Sequence, residues 1–103
     1  MGDNLVARAQ GGEEAAFAAL FDSYERRVYG LCLRMTGSHQ EAEGLTEDAF
    51  LRAFRKIYTF RGESAFSTCL QQMAAYTVLI HLHRKRVKQV PFAQKRSLEL
   101  GSQ

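Results

Sequence analysis

Tryptophan is absent from this 103-residue chain, and proline occurs once, at position 91. With a single proline and eight glycines, little interrupts long helices. Two cysteines, outside any metal-ligand spacing, argue against a disulfide or zinc scaffold and suit a reducing cytoplasm. Apolar runs are too short for a membrane span, and the first residues lack the basic start and apolar core of a signal peptide. We therefore expect a cytoplasmic protein with no membrane partner.

Motifs of common enzymes are also missing. The chain has no Gly-rich phosphate loop, no HExxH, no CxxC and no nucleophile elbow. His81 and His83 are two residues apart, which places them on different sides of a helix. The carboxylates of one segment are interpreted as a solvated helix face rather than an acid/base pair: Glu41, Glu43, Glu47 and Asp48. The sequence thus predicts no catalytic residues, no cofactor and no metal.

What the chain does contain is helical periodicity throughout. The first predicted helix runs from Asp3 or Asn4 to about Gln10, and the second from about Glu13 to Met35. The third runs from its cap Ser38 to Ile57 or Tyr58, and the fourth from its cap Ser64 to Val87 or Lys88. Ser38 with Glu41 three residues on is the pattern of a capping box. Pro91 marks the latest end of the last helix. We predict an all-α, compact bundle of four helices over residues 1–90, with 91–103 as a tail or truncated linker.

Charge is distributed unevenly along the chain. Residues 1–63 carry eight Lys or Arg against ten Asp or Glu, whereas residues 64–103 carry six against Glu99 alone. This asymmetry concentrates positive potential at one end, which suits an anionic partner. A solvated basic tail is the alternative interpretation.

Two segments together resemble a known family. The first runs from Ala42 to Phe54 as AEGLTEDAFLRAF, and the second from Phe60 to Leu70 as FRGESAFSTCL. In order and spacing they resemble region 2 of bacterial RNA polymerase sigma factors of the extracytoplasmic-function (ECF) type. The resemblance implies a sigma region 2-like fold and a role in transcription initiation without catalysis. It implies as partners the β′ clamp helices of the polymerase core, the non-template single strand of promoter DNA, and an anti-sigma protein as a candidate regulator.

For polymerase docking, the resemblance points to the third helix. The family pattern Ala-Glu-Asp-hydrophobic-x-Gln-Glu is Ala42-Glu43-Gly44-Leu45-Thr46-Glu47-Asp48 here, so Gly44 replaces an acid and costs about 1 kcal/mol of helix propensity relative to alanine. The implied polymerase-binding residues are Glu43, Leu45, Glu47, Asp48 and Leu51. Helical spacing alone instead favours a core position for Leu45.

For promoter recognition, the resemblance points to the loop from Tyr58 to Ser64, which in the family melts and recognises the −10 element. A flipped base would stack on aromatic or guanidinium planes there, and phosphates would pair with Lys or Arg. The implied DNA-binding residues are Lys56, Phe60, Arg61, Ser64, Gln72, Met73, Tyr76, Arg84, Lys85 and Arg86. The alternative for Phe60 is a lid on a buried Phe66.

The fourth helix departs from the family. Where Trp, Tyr, Arg and Asn are usual, this chain has Cys69, Gln71, Gln72 and Tyr76. One predicted apolar stripe of this helix contains Phe66, Leu70, Met73, Thr77 and Ile80, and a second contains Cys69, Tyr76 and Leu79. A helix with so broad an apolar surface also fits an alternative function, a protein-binding or self-associating module of natural or engineered origin on the same fold.

Overall fold

The computed structural model describes residues 4–88. They form α1 (Leu5–Gln10), α2 (Glu14–Thr36), α3 (His39–Arg55), a 3-10 turn (Ile57–Thr59) and α4 (Glu63–Lys88). Within this range there is no β-strand, and the predicted all-α fold of four helices is confirmed. The predicted tail, 91–103, lies outside the described residues, and the boundary near residue 90 stays a prediction.

Side-chain caps mark the starts of α1 and α3, and a left-handed glycine marks the end of α2. The Asn4 side chain accepts a hydrogen bond from the Ala7 N–H at 3.2 Å. Gly37 ends α2 with a left-handed φ of 72°, which glycine adopts without strain. The Ser38 hydroxyl accepts from the Glu41 N–H at 3.2 Å, as in a capping box. The second hydrogen bond of a capping box, from the Ser38 N–H to the Glu41 carboxylate, does not form. The Ser38 N–H bonds the Thr36 hydroxyl instead, and the Glu41 carboxylate turns toward α4.

The link between α3 and α4 also differs from the prediction. α3 ends at Arg55 because the Lys56 N–H bonds the Ala53 carbonyl, which tightens the chain into the 3-10 turn. α4 begins at Glu63, two residues earlier than a helix capped by the predicted Ser64, because the Gly62 carbonyl accepts the first helical bond, from Phe66 N–H at 3.1 Å. Ser64 therefore lies inside the first turn of α4 and does not cap it.

Aromatic rings fill the centre of the bundle around Phe66, which is fully buried. Its ring centroid lies 5.8 Å from that of Tyr24 on α2, 5.9 Å from that of Phe54 on α3 and 5.8 Å from that of Phe60 in the loop. Such pairs add to the hydrophobic stabilisation of the core. The loop that carries Phe60 thus rests directly on the core.

α4 buries three of the five residues of its predicted apolar stripe, Phe66, Leu70 and Thr77. Ala74 and Val78 are buried beside them. Met73 and Ile80, predicted in the buried stripe, are half-buried at its edges. The predicted second stripe is largely solvent-facing, with Tyr76 52% and Leu79 58% exposed. This exposed pair is the surface that self-association through α4 would use, and that alternative stays a prediction.

A candidate nucleic-acid interface

The loop after the 3-10 turn and the first turns of α4 enclose a shallow hollow of about 620 Å³. This loop hollow is lined by Phe60, Arg61, Gly62, Ser64, Ala65, Thr68, Cys69 and Gln72. The Phe60 ring stands edge-on to Phe66, so Phe60 is both a lid on the core and a wall of the hollow. The structure therefore brings together Phe60, Arg61, Ser64 and Gln72 of the predicted DNA-binding residues.

A second hollow of about 530 Å³ lies beside it, between the end of α3 and α4. This basic groove is lined by Arg52, Arg55, Lys56, Gln72, Met73 and Tyr76. The Arg52 guanidinium carbon is 5.7 Å from the centroid of the Tyr76 ring, a cation–π arrangement that holds the ring at the groove wall. Gln72 lines both hollows, so together they form one continuous surface along α4.

Six lining residues of this surface were not among the predicted DNA-binding residues: Arg52, Arg55, Gly62, Ala65, Thr68 and Cys69. A signal for the two arginines was present. Arg52, Arg55 and Lys56 are spaced three and four residues apart, the spacing of one helix face, and they fall in the last turn of α3 and its cap. A signal for Thr68 and Cys69 was also present, because they precede Gln72 on α4 by four and three residues, the spacing of one helix face.

The remaining predicted DNA-binding residues lie near the other end of α4. Arg84 and Arg86 are exposed. The Lys85 ammonium instead lies 2.9 Å from one carboxylate oxygen of Glu41, and His81 Nε2 lies 2.9 Å from the other. Glu41 is therefore not part of a freely solvated acidic face, and part of the charge of Lys85 is already neutralised within the fold.

The hydrogen bonds from Lys85 and then His81 hold the pKa of the Glu41 carboxyl below its ordinary value of 4.5. A lowered folded-state pKa adds stability that is present above the unfolded pKa and is lost as pH falls through the folded pKa. We expect Glu41→Gln to be less stable than the parent at neutral pH, with the difference shrinking as the pH falls below the ordinary pKa of 4.5. Urea unfolding at a series of pH values measures it. Glu43→Gln, at an exposed acid two residues away, is the control, and an equal pH-dependent difference there would contradict the assignment.

A third hollow, of about 350 Å³, lies between α2 and α3. This acidic groove is lined by Phe21, Glu25, Arg26, Tyr29, Glu43, Thr46 and Glu47. It contains Glu43 and Glu47 of the predicted polymerase-binding residues.

The other three predicted docking residues differ in exposure. Leu51 is exposed, and the Asp48 carboxylate lies 3.6 Å from Arg52 Nε. Leu45 is only 8% exposed and packs in the core, as its helical spacing favoured, so it offers little surface to a partner.

The two cysteines have different environments. Cys32 is buried, and this burial raises the pKa of its thiol, whereas Cys69 is partly exposed in the loop hollow. Within residues 4–88, no group of three or more His, Cys, Asp or Glu side chains could hold a metal ion. In the same range, no helix combines the length and apolar character needed to cross a membrane.

Residues 20–88 match the family model described as Sigma-70 region 2. The chain is 40% identical over 78 residues to the RNA polymerase sigma-H factor of Pseudomonas aeruginosa, an alignment that covers 76% of this chain and 40% of that protein. It is 33% identical over 81 residues to the ECF RNA polymerase sigma factor SigW of Bacillus subtilis, covering 79% and 43%. It is 36% identical over 78 residues to the ECF RNA polymerase sigma-E factor of Escherichia coli, covering 76% and 40%. The chain thus spans about two fifths of the length of these relatives.

Proposed function

Because the chain belongs to the Sigma-70 region 2 family, we propose that it captures the unpaired non-template strand of a promoter −10 element while docked on the β′ clamp helices of RNA polymerase. It acts by binding, in the service of transcription initiation, and carries out no reaction of its own. The supporting observation is the continuous surface formed by the loop hollow and the basic groove, because none of the described residues that line it is acidic.

In this proposal the loop hollow receives a flipped base. Phe60 and Arg61 supply an aromatic and a guanidinium plane for stacking, and the first turn of α4, with Ser64, presents backbone N–H groups to a neighbouring phosphate. Arg55 and Lys56 pair with the backbone as it passes into the basic groove. Tyr76, held by Arg52, stacks on a second base. Since a phenol ring stacks on any base, recognition at this second position is expected to be tolerant of sequence.

Cys69 provides a direct test of strand capture. We expect a randomised single-stranded 12-mer to slow the alkylation of Cys69 by a maleimide several-fold, because a base in the loop hollow covers the thiol. Cys32 is buried and serves as the slow internal reference in the same chain, read out by peptide mass spectrometry. A blunt duplex of the same length is the control, because its bases are paired and not free to enter. An unchanged rate at a saturating concentration of single strand would contradict capture in this hollow.

For docking, we propose that the acidic groove binds basic residues of the β′ clamp helices. Glu25, Glu43 and Glu47 outnumber Arg26 there, and they lie between α2 and α3, away from the basic groove between α3 and α4. An anti-sigma protein that covers this face or the DNA-binding surface would block initiation.

Neutralising two acids of this groove tests the docking. We expect Glu43→Gln combined with Glu47→Gln to weaken binding to purified clamp helices about tenfold, in a salt-dependent manner, because complementary charge is lost. Glu14→Gln combined with Asp22→Asn makes the same charge change on α2, at two exposed acids outside the groove. Equal weakening by both double variants, measured by calorimetry, would show that only net charge matters.

A further inference from the structure

Gln10, the last residue of α1, reaches across to the loop between α3 and α4. Its Nε2 donates one hydrogen bond to the Ile57 carbonyl at 2.7 Å and another to the Phe60 carbonyl at 2.9 Å. We propose that Gln10 is a positioning residue that holds this loop in the shape required for strand capture. The inference rests on the proposed function for its consequence. Gln10 lies outside residues 20–88, so the family match does not include it.

The two carbonyls that Gln10 bonds belong to the first residue of the 3-10 turn and to the residue just after it. The turn's own bond between these two residues, from Phe60 N–H to the Ile57 carbonyl, is long at 3.4 Å. Both bonds from Gln10 are shorter, and one planar amide fixes both oxygens at once. Together with the packing of Phe60 on Phe66, these bonds from α1 fix the direction in which the chain leaves the turn toward Arg61.

α1 is itself firmly held, so it can act as a rigid support. Val6 and Ala9 are buried in the core. The turn that follows Gln10 is closed by an ion pair, with Arg8 Nε 2.7 Å from a Glu13 carboxylate oxygen. A loop fixed in this way loses little conformational freedom when a strand binds, which favours affinity.

Gln10 does not line either hollow, so its contribution to binding is indirect. The turn that it holds is on the surface, with Tyr58 71% exposed and Thr59 exposed. If the amide is removed, both carbonyls lose their hydrogen bonds to α1, while the side chain of Ile57 stays buried in the core. The expected loss is therefore of loop order rather than of the fold.

The experiment uses the absence of tryptophan from the chain. Tyr58→Trp places a unique fluorophore in the turn, outside both hollows. In that background we compare Gln10→Ala, the isosteric Gln10→Glu, which carries no amide donors, and the control Gln71→Ala, at an exposed glutamine that lines a hollow with Arg27 and Arg34. We measure acrylamide quenching, thermal unfolding, and affinity for a randomised single-stranded 12-mer and for a blunt duplex of the same length.

We expect both Gln10 variants to increase quenching and to weaken single-strand binding about tenfold, while duplex binding and helicity stay near the parent values. A purely structural role would instead weaken single-strand and duplex binding together and lower the melting temperature, and that result would overturn the inference. Unchanged quenching would also overturn it. A parent protein that binds no single strand would overturn the proposed function, and quenching would still decide whether Gln10 holds the loop.

Discussion

Replacing Arg55 and Lys56 together with glutamine is expected to weaken single-strand binding about 25-fold at about 0.1 M salt. For single strands, the logarithm of the affinity falls with the logarithm of salt concentration by about 0.7 for each neutralised phosphate, so losing two contacts removes about 1.4 from that slope. Both residues are exposed at the wall of the basic groove. Fluorescence anisotropy with a labelled strand at four salt concentrations measures affinity and slope together.

The matched control is Arg27→Gln combined with Arg34→Gln. These arginines line a small hollow on the α2 side of α4, with Val28, Leu31 and Gln71, and they carry the same total charge as Arg55 and Lys56. If the strand follows the basic groove, the control leaves the salt slope unchanged. Equal changes for the two double variants would mean that the protein attracts nucleic acid only through its net charge.

Phe66→Ala is expected to have the largest effect on stability, about 3–5 kcal/mol, because it leaves a cavity where aromatic rings from α2, α3 and the loop meet. For a domain of this size each kcal/mol lowers the melting temperature by about 4–8 °C. Urea unfolding followed by circular dichroism measures the loss. Tyr58→Ala, at an exposed ring in the turn, is expected to change stability by less than about 0.5 kcal/mol. A cost below about 1.5 kcal/mol for Phe66→Ala would show that the neighbouring rings collapse into the space.

The helices were predictable from local sequence because their caps and apolar stripes are local. The residues at the edges of the buried face of α4 could not be predicted in this way. Hydrophobicity ranks Met73 and Ile80 above Ala74, whereas the packed interface buries Ala74 completely and leaves the larger two at its edges. A small side chain allows neighbouring helices to approach closely, and this preference cannot be read from periodicity alone.

The candidate site was predictable where its residues follow one another along the chain, as Phe60, Arg61 and Ser64 do. Contacts between distant residues were not predictable. Gln10 bonds carbonyls 47 and 50 residues away, and Glu41 bonds side chains 40 and 44 residues away. Nothing in the local pattern of either residue indicates its partner. The apparent capping box even suggested another role for the Glu41 side chain.

The salt bridge between Glu41 and Lys85 also bears on the distance along α4 between Tyr76 and Arg86. It joins the last turns of α4 to the start of α3, which favours one position of that end of the helix relative to the basic groove. Along a straight helix, Tyr76 and Arg86 are separated by about 15 Å. That length matches about four steps of duplex DNA. Under the proposed function, the spacing of these residues along α4 sets the distance between two contacts on the DNA. One is the contact with the upstream duplex, and the other is the point where the strands separate.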